Sequence, residues 1–259
     1  MRSRGLALVL AVWLPAAVVH AADPGVEFEI AIGRGDLAAV KALLDAGRSA
    51  DTPIAEGHQT PLQRAASSGK TEIAKLLIER GASVNAPAAS GSALHLAIQG
   101  GWDDIVQLLI DNGADPDQRD AFDNTPLVLA VSAQHRDIAE ILIKAGADLG
   151  ASSSGLTPLM FASSTGDVDQ VRFLVKAGAK VNGVGKGQYG GRSALLAAIP
   201  DGQADAVKAL IELKADVNQK GPDGKTPLAA AREAKQEEIV TILKAAGARD
   251  GAALPAKKS

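Results

Sequence analysis

Thr60-Pro61-Leu62-Gln63-Arg64-Ala65-Ala66, followed by Gly69 and then by Ile73, Leu76, Leu77 and Gly81, is the stretch whose reading decides the fold. It returns at Ser92, Thr125, Thr157, Ser193 and Thr226, in steps of 32, 33, 32, 36 and 33 residues. A repeat of this period, with this opening, marks a solenoid of helix pairs: one unit cannot bury its apolar face alone and needs a neighbour.

Each shared position has a physical reason. Thr60, Ser92, Thr125, Thr157, Ser193 and Thr226 stand where a hydroxyl can accept an orphan backbone N–H at a helix start. Pro61, Pro126, Pro158 and Pro227 follow at the first helical position, where a missing N–H costs nothing. Thr60 and Gln63 have capping-box spacing. Leu62, Leu94, Leu127, Leu159, Leu195 and Leu228 are expected to face the core. Three residues after each comes an Ala: 65, 97, 130, 162, 198 and 231. A side chain this small lets the first helices of neighbouring units approach, and a larger one would overpack the seam by about 1–3 kcal/mol. The second helix carries Leu77, Leu109, Leu142, Leu174, Leu210 and Leu243. It ends at Gly81, Gly113, Gly146, Gly178 and Gly247, each placed for a left-handed C-cap.

These residues resemble the ankyrin repeat, from about Val26 to Arg249. The resemblance implies an all-α ankyrin-repeat solenoid of about seven stacked helix pairs joined by hairpin-like loops. Units are expected near residues 26, 60, 92, 125, 157, 193 and 226. It also implies a curved stack with a concave groove, and protein recognition through loop tips and inner helices. The first unit is disguised. Phe28 replaces the Leu, Ala31 and Gly35 take their usual places, and Leu43 and Gly47 close the second helix. Glu27 and Glu29 suggest a polar outer face there, as Arg232, Glu233, Lys235, Gln236, Glu237 and Glu238 do in the last unit.

The departures are informative. Only His95 keeps the His of the family's opening. Lys214 replaces a C-cap Gly, Gln170 stands in an aliphatic place, and Pro200 is expected to shorten its helix. The unit Ser193 to Lys225 is therefore expected to be the least regular. The 36-residue step marks an insertion around residues 183–191, rich in Gly and holding Tyr189, the chain's single Tyr. Loops of this kind often carry specificity, and an inert insertion at an exposed tip is the alternative.

At 46% hydrophobic and 22% charged, the 259-residue chain has the composition of a folded protein. A net charge of −3 offers no basic stripe for nucleic acid. Arg2 and Arg4, the apolar run from Gly5 to Val19 and the small residues Val19 and Ala21 read as a signal peptide over 1–21. The run falls short of a membrane span. Cleavage before Ala22 removes two basic residues and leaves 25 against 30 acidic, a net −5. With no Cys for disulfides or lipidation, the periplasm is the expected location. Residues 22–25 read as a leader and 250–259 as a disordered tail.

No motif supports an enzyme or a cofactor. Gly185, Gly187 and Gly190 match a dinucleotide fingerprint by letter but lack the strand before it. Gly224-Lys225-Thr226 lacks the earlier Gly of a phosphate loop. Asp115, Asp117 and Asp120 lack the Gly and closing Glu of a calcium loop. His58, His95 and His135 lie in different units, with no metal-ligand spacing. His95 reads as a helix-start hydrogen-bonding residue, and Trp102 as a residue packing across a neighbouring turn.

The expected function is a non-catalytic, monomeric scaffold that binds another protein in the periplasm. An inhibitor or immunity-type partner of a secreted enzyme is the alternative on the same surface. The candidate contact residues are Gln59, Phe122, Asn124, Leu156, Tyr189, Arg192 and Lys225 at loop tips, and Gln99 and Asp201 at first-helix ends. Phe122, Leu156 and Tyr189, with Arg192, form the expected hot spot, since exposed aromatics and Arg anchor interfaces. The rival expectation is that Phe122 and Leu156 tuck under their own loops.

Overall fold

The structure, a computed structural model of the chain, describes residues 24–54, 59–87, 91–186 and 190–250. The expected signal peptide and nearly all of the expected tail lie outside the described residues, as do His58 and Tyr189. Fourteen helices run through the described residues in seven pairs. They are α1 (Pro24–Arg34) with α2 (Leu37–Asp45), α3 (Pro61–Ser67) with α4 (Thr71–Glu79), and α5 (Ala93–Gly100) with α6 (Asp103–Asp111). Next come α7 (Pro126–Ser132) with α8 (Arg136–Lys144), and α9 (Pro158–Thr165) with α10 (Val168–Lys176). The last are α11 (Ala194–Ala198) with α12 (Ala204–Glu212), and α13 (Pro227–Glu233) with α14 (Glu237–Ala245). First helices stack on first helices and second on second, each unit on its neighbours.

The helices start where the hydroxyls predict. Thr60, Thr125, Thr157, Ser193 and Thr226 accept the N–H three residues on at 3.3–3.4 Å. The Gln63 side chain closes the box by accepting the Thr60 N–H at 2.8 Å. The core follows the repeat. The six Leu of the first helices are at most 2% exposed, the six of the second helices are fully buried, and so are the recurring Ala to within 2%. A fully buried Leu contributes about 1.5–3 kcal/mol, so these repeated positions contribute heavily to holding the stack together.

The departures also behave as the residues dictate. Lys214 adopts φ +72°, the left-handed place that Gly holds in the six other units. Pro200 confines α11 to five residues. Gln170 is buried, and its Nε2 has no hydrogen-bond partner.

The first unit differs from expectation. Glu27 turns to Arg48, 3.3 Å away, while Val26, Ile30 and Leu37 are 37–49% exposed. Leu43 is only half-buried, because no helix pair among the described residues packs outside it. The outer face of this unit is apolar where a polar cap was predicted. The last unit does show its charged residues to solvent.

The loops between units are tied by a ladder of side-chain oxygens. Asp51 accepts the Ser83 N–H at 2.9 Å, Asn85 that of Asp115 at 3.0 Å, and Asp117 that of Asp148 at 2.9 Å. Asn182 accepts from Asp216, and Asn218 from Arg249, both at 2.8 Å. Each such bond is worth about 1 kcal/mol. Between the Thr125 and Thr157 units the ladder position is Gly150, which has no side chain to offer. At that same seam α8 and α10 meet less closely than other neighbouring second helices.

Candidate protein-binding face

Each unit reaches the next through a tip that folds back just before the first-helix cap. Isolated antiparallel bridges close three of these tips: Ile54 with Gln59, Ser153 with Leu156, and Val184 with Ser193. The Asp120 carboxylate builds a fourth. It accepts the N–H of Phe122 at 2.9 Å, the N–H of Asn124 at 2.8 Å and the Asn124 amide at 3.0 Å. This turn holds Asp123 at φ +66° and lifts Phe122 clear, 74% exposed and the most exposed large hydrophobic among the described residues. Asn124 is half-buried and spends its side chain on Asp120.

The other candidates differ in what they leave free. Leu156 is half-buried and packs on the core, so it supports its tip more than it offers itself. Arg192 is exposed beside the Val184–Ser193 bridge. Gln99 and Asp201 are exposed at the far ends of first helices. Gln59 is half-buried in its bridge. Lys225 pairs with Glu233 and, at 3.5 Å, with Asp223, and the Glu233 carboxylate raises its pKa above the ordinary lysine value.

Three successive tips are cross-linked by residues that the repeat does not mark. Arg119 Nη1 donates to the Asp123 carboxylate at 2.9 Å and to the Ser152 carbonyl at 2.9 Å. The Ser152 hydroxyl donates to the Lys186 carbonyl at 2.8 Å and accepts the Lys186 N–H at 3.1 Å. Ser153 Oγ accepts the Thr125 N–H at 3.2 Å. The insertion is therefore fastened to the preceding tip at its start. Gly185 comes so close to Gly155 that a Cβ would sit 1.7 Å from the Gly155 carbonyl oxygen. Only glycine fits there, which explains one of the insertion's glycines.

The suspected chemical residues have structural work. Asp117 belongs to the ladder, Asp115 accepts the Asp117 N–H at 2.9 Å, and Asp120 builds its turn. Among the described residues no group of His, Asp and Glu is placed to hold a metal. His95 is fully buried, and its Nδ1 meets the Ser92 N–H at 3.2 Å and hydroxyl at 2.8 Å. Its Nε2 faces the carbonyls of Gln118 and Asn124 without completing a hydrogen bond. Burial lowers its pKa, against a smaller raising effect from Asp120. Trp102 packs across the neighbouring turn: a Cβ on Gly69 would lie 2.8 Å from its ring.

The family model "Ankyrin repeats (3 copies)" matches residues 28–120, 94–185 and 183–252. Human Rabankyrin-5 is 31% identical over 207 residues, 74% of this chain, and the chain spans 18% of that protein's length. The ankyrin repeat domain of Bcl-3 is 30% identical, with a TM-score of 0.75 over 84% of this chain and 97% of that one. An ankyrin repeat domain from Acinetobacter baumannii is 32% identical, with a TM-score of 0.66 over 73% of this chain and 98% of that one. Such repeats are non-catalytic scaffolds that generally bind proteins. With seven stacked helix pairs, a phased motif and these matches, the chain belongs to the ankyrin-repeat family.

Proposed function

We propose that this chain is a periplasmic scaffold that holds one partner protein through its tip face, with Phe122 as anchor and Arg192 as a second contact two tips further along. The observation that carries this reading is Phe122. It is a large aromatic held 74% in solvent by a turn whose polar groups are satisfied internally. A turn built this way costs nothing to pre-organise, and rigid aromatic anchors are what interfaces use. The cross-links through Arg119 and Ser152 keep the next tips in register with it.

The test uses the mature chain as bait in a periplasmic extract, followed by titration of the captured protein with wild-type and Phe122→Ala chains. The substitution is expected to weaken binding about 30-fold, the size of a hot spot near 2 kcal/mol. The melting temperature should stay unchanged, since Phe122 buries little. Equal affinities would overturn the reading. For export, the expected mature N-terminus is Ala22; an intact Met1 on the exported protein would contradict it.

A further inference from the structure

We propose that the seam between the Thr125 and Thr157 units is a carboxylate-binding site, formed by the Lys180 backbone N–H and the ammonium groups of Lys180 and Lys186. The chain itself shows what chemistry belongs there. At five seams an Asp or Asn oxygen from one loop accepts the N–H of the next. Two of these, Asp51 and Asp117, are carboxylates, so the position tolerates a full negative charge. At the sixth seam Gly150 supplies no oxygen, and the Lys180 N–H receives no acceptor among the described residues.

A cavity of about 610 Å³ occupies the place, bordered by Asp148, Gly150, Gly178, Lys180, Gly183 and Lys186. That volume suits a small ligand or a side chain. Cations also stand on its wall. The residue giving the N–H is neutral or acidic at four seams (Ser83, Asp115, Asp148 and Asp216) and basic at two, Arg249 at the last and Lys180 here. Lys186 adds a second cation, on a loop that Ser152 fastens by two hydrogen bonds. Asp148 is the acid on the wall, and its Oδ1 already accepts the Gly150 N–H at 2.8 Å. Leu149, Leu159 and Val184 make part of the wall apolar, and a backbone N–H with two cations on the rest of it selects a carboxylate over a neutral carboxamide. That carboxylate can come from a small organic acid or from an Asp or Glu side chain of a partner.

The site is read from amide NMR shifts of the full mature chain at constant ionic strength. Sodium acetate and sodium succinate are titrated against sodium chloride, and the blocked peptide Ac-Ala-Asp-Ala-NH2 against its Asn counterpart. The Lys180 amide proton is expected to shift and saturate with the carboxylates and not with chloride. Binding of the Asp peptide tenfold tighter than acetate identifies a partner's side chain as the source; comparable or weaker binding identifies a small acid. Gly150→Asn should place the chain's own oxygen on the Lys180 N–H, abolish the titration and raise the melting temperature. Lys180→Ala with Lys186→Ala leaves the N–H in place and should weaken binding at least tenfold. A Lys180 amide that ignores carboxylates, or responds equally in Gly150→Asn, would overturn the proposal.

Discussion

His95 occupies the helix-start position that Gln63 holds in the preceding unit, and both reach back to the N–H of their cap. The difference is titration. Burial lowers the His95 pKa, so the folded chain holds the neutral ring while the unfolded chain takes up a proton near pH 6.5. The stability this represents is fully present above pH 6.5 and is lost as the pH falls below it toward the folded pKa. His95→Gln should therefore keep the stability at pH 7.5 and lose less of it on acidification to pH 5.5, as read by chemical denaturation at both values. Equal acid sensitivity in the two chains would place its origin elsewhere. The role of His95 was legible in the sequence because capping is a contact between residues three apart. The roles of Arg119, Ser152 and Lys186 were not, because their contacts join loops about 33 residues apart and involve residues that do not recur.

At the scale of the element, helix ends decide the regularity of each unit. Gly closes the second helix at Gly81, Gly113, Gly146, Gly178 and Gly247 with φ between +83° and +111°, and Lys214 must adopt the same hand at +72°. A side chain there costs about 1 kcal/mol. Lys214→Gly is expected to stabilise the chain by up to that amount, raising the melting temperature by about 2–4 °C. The Asn182 amide keeps its bond to the residue-214 carbonyl, so the ladder is untouched. A lower melting temperature would mean that the Lys214 side chain contributes more than its backbone costs. The short α11 was legible from Pro200, whose ring ends a helix by itself. The turns at Gln134 and Lys235 also run left-handed, at φ +59° and +57°, and were not legible, since neither residue announces that conformation.

Across the whole molecule the seven-unit stack was the most legible feature, because the same Leu, Ala and Thr positions are buried or capped in each unit. Two of its asymmetries came only from the assembled structure. The first unit shows an apolar outer face, and the ladder skips at Gly150. Of the expected hot spot, Phe122 and Arg192 stand clear, Leu156 packs inward, and Tyr189 lies outside the described residues. A tip face read this way makes a spatial claim about the partner. Hydrogen exchange of the free and partner-bound chain, followed by mass spectrometry, tests it most directly. The account predicts slowed exchange at the tips, in residues 119–125, 152–157 and 190–193, with the second helices α8 and α10 unchanged. Protection confined to α8 and α10, with the tips exchanging as in the free chain, would contradict it.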